Sequence, residues 1–306
     1  MKPVSLENEI SQGWQLLRVS LPAQQQDAVS ELLTSAGASA ITLEGPIDDP
    51  IFEPLPGEMP LWEQLSLIAL FGCDHNLQPV QQLLALIGDV EQELLEEQEW
   101  SRVWLKYWQP SSFGDCPEQQ QLWVVPSWDQ QERPGYRLLL DPGLAFGTGN
   151  HATTSLCLDW LAEHPPKAQR VIDYGCGSGV LGVAALCLGA NQVLGVDIDP
   201  QALTASRNNA ELNGVSSQLI TSDVEQITSL NFGMADLIIA NILYQPLTEL
   251  APKFAQMLVA GGDLVLSGLL SPQADAIVEI YRPWFEMTDV CEFDGWIRVE
   301  GVRRDE

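Results

Sequence analysis

A glycine-rich turn next to a carboxylate is the part of the sequence best suited to hold a cofactor. Asp173 ends the apolar segment Val171-Ile-Asp, and glycines follow it at alternate positions. Glycine permits a tight turn and lets a ligand approach the backbone closely. A helix predicted to begin at or near Val180 aims its unpaired N–H groups at that ligand. We therefore predict cofactor contacts from Asp173, Gly175, Gly177 and Gly179.

Three further polar residues end or follow later apolar segments. Asp197 ends the second predicted strand, about twenty residues after the first, where its carboxylate can accept both hydroxyls of a ribose. Asp223 follows the third strand and is predicted to accept from an adenine amino group. Asn241 ends the fourth strand and is predicted to orient the reacting amine. Ligands bind beyond the carboxyl ends of parallel strands, so these residues belong to one site.

A loop rich in glycine, Leu140-Asp-Pro-Gly-Leu-Ala-Phe-Gly-Thr-Gly-Asn-His-Ala-Thr-Thr154, precedes the turn. It is predicted to cap the cofactor, with contacts from Phe146 and Gly147, and to enter a helix with Thr153 or Thr154 near its start. His151 is the only histidine within a motif. It is interpreted either as a catalytic base or as a residue that orders the loop.

The turn alone leaves two cofactor classes open. Residues 177–182 also fit the G-x-G-x-x-G frame of dinucleotide-binding oxidoreductases. A carboxylate before the turn, such as Asp173, suits the amino-acid moiety of S-adenosylmethionine, whereas a pyrophosphate gains nothing from it. Asp197 fits both classes. The pattern favours a methyltransferase, in which Phe146, Tyr244 and Trp296 are candidates for an aromatic wall around a methylated cation.

The composition limits the classes of partner and the cellular location that we expect for this chain. The 306 residues include 14 Lys and Arg against 42 Asp and Glu, a net charge of −28. Such a surface repels phosphate backbones and attracts basic proteins, so without a local basic patch we expect no direct nucleic-acid partner. The alternative, that the acidity serves only solubility, stays open at this point. The six cysteines form no C-x-x-C pair, which argues against disulfides and a metal site. Without a signal peptide, a long apolar span or an assembly motif, the chain is expected to be a cytoplasmic, membrane-free monomer.

Periodicity divides the chain into three regions. Residues 1–95 predict a small α+β domain resembling a ferredoxin-like fold, with strands at 14–21, 40–43 and 65–71 and helices at 24–35 and 79–87. Residues 96–112 predict a linker helix, because Trp100, Trp104 and Trp108 recur every four positions. Residues 113–306 predict an α/β domain with a doubly wound, mostly parallel sheet. Its strands fall at 171–173, 192–197, 218–221, 236–241 and 262–267, its helices near 180–188, 200–213 and 246–258, and an antiparallel pair at 285–293 and 296–301.

The motifs together resemble one family. LDPGLAFGTG-x-H-x-TT, VIDYGCGSGVL, GVDIDPQAL and ANIL are similar to those of the bacterial methyltransferases that modify the eleventh protein of the large ribosomal subunit. The similarity extends to residues 51–58 and 60–62, to Trp100 and Trp104, and to residues 296–298, and so covers nearly the whole chain. Asn150 and Ala152 depart from the Thr and Pro usual in the family, which leaves the stiffness of the loop open.

The resemblance implies a Rossmann-like class I methyltransferase domain and an N-terminal domain that binds the ribosomal protein. It implies S-adenosylmethionine as cofactor, contacted at Thr154, Gly175, Asp197 and Asn241, and N-methylation of lysine side chains and an α-amino group. Two alternatives remain at this point. One is a methyltransferase for another amine or amide, a glutamine or a nucleobase, since Asn241-x-x-Tyr244 is similar to N-P-P-Y without its prolines. The other is a non-catalytic, cofactor-binding ribosome factor.

Overall fold

The computed structural model describes residues 13–46, 62–96, 110–141, 151–227, 230 and 232–305. These residues belong to two compact units, one within 1–106 and the other within 107–306. In the ranges given, no helix has the length and apolar character needed to cross a membrane.

The first unit is a four-stranded antiparallel sheet with two helices. Its strands are β1 (Gly13–Pro22), β2 (Ala40–Glu44), β3 (Gln64–Gly72) and β4 (Val90–Glu96), in the order β2-β3-β1-β4. Helices α1 (Gln26–Ser35) and α2 (Gln78–Leu84) follow β1 and β3. Alternate residues of the two central strands pack with both helices in one apolar core, formed by Leu17, Val19, Leu21, Leu65, Leu67, Phe71, Val29, Leu33, Val80 and Leu84. The chain order and the strand order confirm the predicted ferredoxin-like arrangement.

Strand β4 is not predicted by the sequence pattern. Its residues, VEQELLE, are mostly good helix formers, yet they pair with β1 from Val90↔Val19 to Glu96↔Gly13. A charged edge strand is typical of sheets that avoid pairing with other chains. The predicted linker helix at 96–112 lies mostly outside the described residues, and so do its tryptophans. At its ends the prediction is wrong, because Glu96 closes β4 and Ser111 opens another strand.

The second unit contains a seven-stranded sheet. Its parallel strands are β8 (Arg170–Tyr174), β9 (Gln192–Val196), β10 (Leu219–Ser222), β11 (Ala235–Asn241) and β12 (Leu258–Leu270). One edge is closed by two antiparallel strands, β13 (Phe285–Phe293) and β14 (Trp296–Arg303), and the order in the sheet is β10-β9-β8-β11-β12-β14-β13. The helices are α3 (Ala152–Glu163), α4 (Val180–Cys187), α5 (Pro200–Leu212), α6 (Tyr244–Met257) and α7 (Ala274–Tyr281). This arrangement confirms the predicted doubly wound sheet and its antiparallel edge.

Neighbouring residues of the central strands enter different cores on the two faces of the sheet. Val171 packs in the cluster that contains Leu158 of α3 and Val183 of α4. Ile172 packs in the cluster that contains Phe254 of α6 and Ile277 of α7. Burial on both faces explains why these strands are continuous apolar runs in the sequence.

Two features of this unit are not predicted by the sequence. One is helix α7. The other is a three-stranded sheet upstream of the main one, formed by β5 (Ser111–Phe113), β6 (Leu122–Val125) and β7 (Tyr136–Leu139), in which β6 pairs antiparallel with β5 and parallel with β7. Its strands have only three or four residues each, which is too short for a clear alternation.

Candidate functional site

The glycine turn after β8 is held against the end of β9. The N–H groups of Gly175 and Cys176 both donate to the carbonyl of Val196, at 2.7 and 2.9 Å. Gly175, Gly177 and Gly179 have φ angles of +77°, +53° and +77°. These left-handed conformations cost little only for glycine, so the alternating glycines are required by the path of the backbone. Helix α4 begins directly after Gly179, as predicted.

Asp173 lies beneath this turn and is almost fully buried, at 1% exposure. Its Oδ2 accepts from the N–H of Gly182, in the first turn of α4, at 2.8 Å. Burial raises the pKa of Asp173 to about 7; the bond from Gly182 opposes this rise and the charge of Asp197 adds to it. The structure therefore shows that Asp173 orders the start of helix α4. Its contact with a cofactor stays a prediction.

Helix α5 supports the turn from the side, through residues that the sequence analysis did not find. Ser206 Oγ donates to the carbonyl of Gly177 at 3.0 Å, and Asn209 Nδ2 donates to that of Ser178 at 2.8 Å. A Cβ on Gly179 would lie 2.7 to 2.9 Å from atoms of Ser206. The only signal in the sequence is a polar pair at i and i+3 on a helix, which surface helices often show.

Asp197, immediately after β9, joins the turn to the start of α5. Its Oδ2 accepts from Gly177 N–H at 2.8 Å, and its Oδ1 accepts from Asp199 N–H at 2.9 Å. A carboxylate offers about four acceptor positions, so about two remain on this half-buried group for the hydroxyls of a ribose. Ile198, the next residue along the chain, is 83% exposed. These donor and acceptor groups fit a nucleoside-containing cofactor such as S-adenosylmethionine.

Asp223 follows β10, and its side chain turns back to the chain. Its Oδ1 accepts from the N–H groups of Glu225 and Gln226, both at 2.9 Å. These bonds make Asp223 a turn-forming residue. Its predicted contact with adenine stays a prediction.

Asn241, at the end of β11, meets the first turn of α3. Its Nδ2 donates to Thr154 Oγ1 at 3.3 Å. The structure thus brings together two predicted site residues that are 87 positions apart. Thr154 is buried and Asn241 is half-buried. The side-chain amide of Asn241 is therefore packed against Thr154 and remains partly accessible to solvent.

His151 is the N-cap of α3. Its Nδ1 lies 2.9 Å from Thr153 Oγ1 and 3.4 Å from Thr153 N, and its ring meets that of Trp296 edge-on at 5.0 Å between centroids. This geometry supports the interpretation of His151 as a residue that orders the chain. Its role as a catalytic base stays a prediction.

Helix α3 is anchored on β14 by a buried polar network. Arg298 Nη1 donates to the carbonyl of Leu156 at 2.8 Å, and its Nη2 lies 2.6 Å from Glu300 Oε1. The other carboxylate oxygen of Glu300 accepts from Trp160 Nε1 at 2.9 Å. The resemblance includes Arg298, but its partners become visible only in the fold. The network fixes the helix that carries Thr154.

Of the remaining predicted residues, the structure places Tyr244 and Trp296. Phe146 and Gly147 lie outside the described residues. Tyr244 is the first residue of α6, and Trp296 contacts His151. Among the side chains that the structure places, no three of the His, Cys, Asp and Glu type are grouped as metal ligands.

Comparison with known proteins identifies the family of this chain. The family model described as ribosomal protein L11 methyltransferase (PrmA) matches residues 13–304. Ribosomal protein L11 methyltransferases from Marinobacter nauticus and Shewanella piezotolerans are 43% and 45% identical over 302 and 299 residues, each match covering 95% of this chain and 99% of the relative. The crystal structure of a ribosomal protein L11 methylase from Lactobacillus delbrueckii subsp. bulgaricus has 32% identity and a TM-score of 0.54, covering 63% of this chain and 99% of that one. The chain therefore belongs to the ribosomal protein L11 methyltransferase family, which confirms the S-adenosylmethionine-dependent methyltransferase predicted from the sequence.

Proposed function

We propose that this chain methylates ribosomal protein L11, transferring methyl groups from S-adenosylmethionine to lysine ε-amino groups and to the N-terminal α-amino group. The observation that carries the proposal is the match of residues 13–304 to a family whose name specifies that substrate. Relatives of that name match over nearly their full length, so the similarity includes both compact units.

The turn after β8 and the residues around it hold the cofactor in this proposal. The backbone at Gly175, Gly177 and Gly179 and the start of α4 face the amino-acid moiety, while Asp197 accepts from the ribose hydroxyls and Asp223 from the adenine. Thr154 closes the site from α3. When bound there, S-adenosylmethionine supplies an electrophilic methyl group.

The amine must arrive without its proton, because an ammonium group has no lone pair. At pH 7 deprotonation costs about 4–5 kcal/mol for a lysine and about 1–1.5 kcal/mol for an α-amine. Asn241 orients the amine through its side-chain carbonyl, since its amide nitrogen is directed to Thr154. Burial and positioning lower the cost of the neutral amine, and water accepts the proton. His151 is the candidate base if a protein group does so.

The two units have different roles in this proposal. The unit within residues 1–106 binds the ribosomal protein, and the unit within 107–306 carries the chemistry. The net charge of −28 favours a basic protein partner and disfavours direct contact with nucleic acid. We propose a monomeric enzyme that acts in the cytoplasm.

The test is single-turnover methyl transfer to purified ribosomal protein L11, followed by intact mass measurement and peptide mapping. We expect whole-methyl mass increments on lysines and on the α-amine, and their loss in Asn241→Ala. Methylation of a glutamine or a nucleobase instead would favour the alternative substrates. Cofactor binding without any transfer would favour a non-catalytic ribosome factor.

A further inference from the structure

The hairpin at the edge of the large sheet carries an exposed aromatic side chain. Strands β13 and β14 are joined by Asp294 and Gly295, and Phe293 lies directly opposite Trp296 in the register. Side chains that are directly opposite in an antiparallel pair lie on the same face. Phe293 is 58% exposed, and Trp296 is half-buried. We call the surface formed by these two side chains the hairpin face.

The hairpin face is continuous with the methyl-transfer site. Trp296 contacts the ring of His151, the N-cap of α3, and Thr154 in the first turn of α3 accepts from Asn241. The strand register places Trp296 and Asn241 at the same end of the sheet. Trp296 pairs with Leu270 near the carboxyl end of β12, and Asn241 pairs with Ser267 of β12. The hairpin tip therefore stands at the edge where the parallel strands end, which is the edge that carries Asn241.

Charge around this face is negative. Asp294 is exposed in the turn, and Asp289 is exposed on the side of β13 that bears Phe293. The guanidinium of Arg298, opposite Cys291 on that side, is bound to Glu300 and does not offset them. An aromatic surface flanked by carboxylates suits lysine and arginine side chains, whose aliphatic stems pack on rings while their charged ends reach carboxylates.

We propose that the hairpin face is the docking surface for the basic segment of the substrate protein that carries the target amine. This inference rests on the proposed function, because it takes ribosomal protein L11 as the occupant. It assigns a role to Phe293 and Asp294, which neither the sequence motifs nor the cofactor site use.

The test compares Phe293→Ala with Val290→Ala, a matched control. Val290 is an apolar residue of the same strand with 43% exposure, paired with Val299 and directed to the other face. Calorimetry measures the Kd for ribosomal protein L11, and methyl-transfer kinetics measure KM and kcat. We expect Phe293→Ala to raise Kd and KM about tenfold, as for a contact residue central to an interface, with kcat and the Kd for S-adenosylmethionine unchanged. Val290→Ala should match the unmodified chain.

Asp294→Asn tests the charge of the docking surface separately. Asn tolerates the left-handed conformation of this residue, whose φ is +52°, so the turn is preserved. The expected result is a higher KM at low salt and a weaker dependence of KM on salt than in the unmodified chain.

Equal values for Phe293→Ala and the unmodified chain, or equal losses in Phe293→Ala and Val290→Ala, would overturn the inference while methylation of L11 upholds the proposed function. If the unmodified chain binds L11 but transfers no methyl group, the proposed function fails and the Kd values still decide the docking surface. If it does not bind L11, both are wrong.

Discussion

Asn241 Nδ2 lies 3.3 Å from Thr154 Oγ1, and this bond joins the end of strand β11 to the first turn of helix α3. It leaves the carbonyl oxygen of Asn241 as the side-chain atom available to an amine. The orientation of the amide thus depends on a hydroxyl from another element.

Replacement of Thr154 tests this dependence. Thr154→Val keeps the shape of the side chain and removes the acceptor, so we expect kcat to fall about five- to tenfold, the equivalent of about 1 kcal/mol for one neutral hydrogen bond. Thr154→Ser keeps the hydroxyl and should stay within about twofold of the unmodified chain. Single-turnover rates at saturating cofactor provide the measurement. Equal rates for the two variants would show that the hydroxyl does not orient Asn241.

The carboxylate of Asp197 is expected to carry much of the affinity for the cofactor. Asp197→Ala removes the acceptor for the ribose and for Gly177 N–H, and should weaken S-adenosylmethionine binding in calorimetry by about tenfold or more. Asp199→Asn is the matched control, because it removes a charge two residues away and keeps a good N-cap for α5. Tight binding by Asp197→Ala would contradict the ribose contact.

Asp173 should make stability depend on pH. Burial raises its pKa to about 7 in the fold from an ordinary value of 3.8, so from about pH 4 to 7 the folded chain holds a proton that the unfolded chain has lost. The contribution of Asp173 to stability is therefore full below about pH 4, decreases as the pH rises from about 4 to 7, and is lost above that range. Asp173→Asn stays neutral and keeps an oxygen for Gly182 N–H. The difference in unfolding free energy between Asp173→Asn and the unmodified chain should shift in favour of the variant by about 2–3 kcal/mol as the pH rises from 5 to 8. Urea unfolding at each pH measures this difference. A difference that does not change with pH would contradict the raised pKa.

The close approach of α5 to the glycine turn predicts a large effect of Gly179→Ala. The new Cβ would meet Ser206 at 2.7 to 2.9 Å, in addition to the strain of a φ of +77°. Gly214→Ala is the control, because Gly214 has a φ of +69° with no atom within 4 Å of the Cβ position. We expect Gly214→Ala to cost about 1–2 kcal/mol of unfolding free energy, and Gly179→Ala to cost more and to abolish cofactor binding. Similar losses of stability in the two variants, with cofactor binding intact in both, would show that Ser206 moves to make room for the new Cβ.

The network under α3 is expected to matter for stability more through its buried charge than through any one bond. Arg298→Ala removes the cationic partner of the half-buried Glu300, which keeps only the donor of Trp160, and should cost about 3 kcal/mol. Trp160→Phe removes one donor and should cost about 1 kcal/mol. The double variant Arg298→Met with Glu300→Gln removes both charges and should recover part of the loss. Denaturant unfolding compares the three; a double variant less stable than Arg298→Ala would contradict the argument.

Sequence alone determined the parts whose cause is local. The central strands of the large sheet are buried on both faces, so they are apolar runs that can be recognised one by one. The edge strand β13 was also predicted, with its observed bounds. The turn of Gly175, Gly177 and Gly179 was predictable because a left-handed backbone selects glycine. The carboxyl ends of parallel strands then indicated Asp197 and Asn241 as neighbours in one site.

Only the tertiary structure decided what depends on partners distant in the chain. Strand β4 has the composition of a helix, and its pairing with β1 overrides that preference. Whether Asp173 orders the backbone, which hydroxyl orients Asn241 and which residues hold α3 are questions of contacts between segments that no local pattern specifies. Phe293 is an ordinary strand residue in the sequence, and it becomes a candidate docking residue only because the register sets it opposite Trp296 at the edge that carries Asn241.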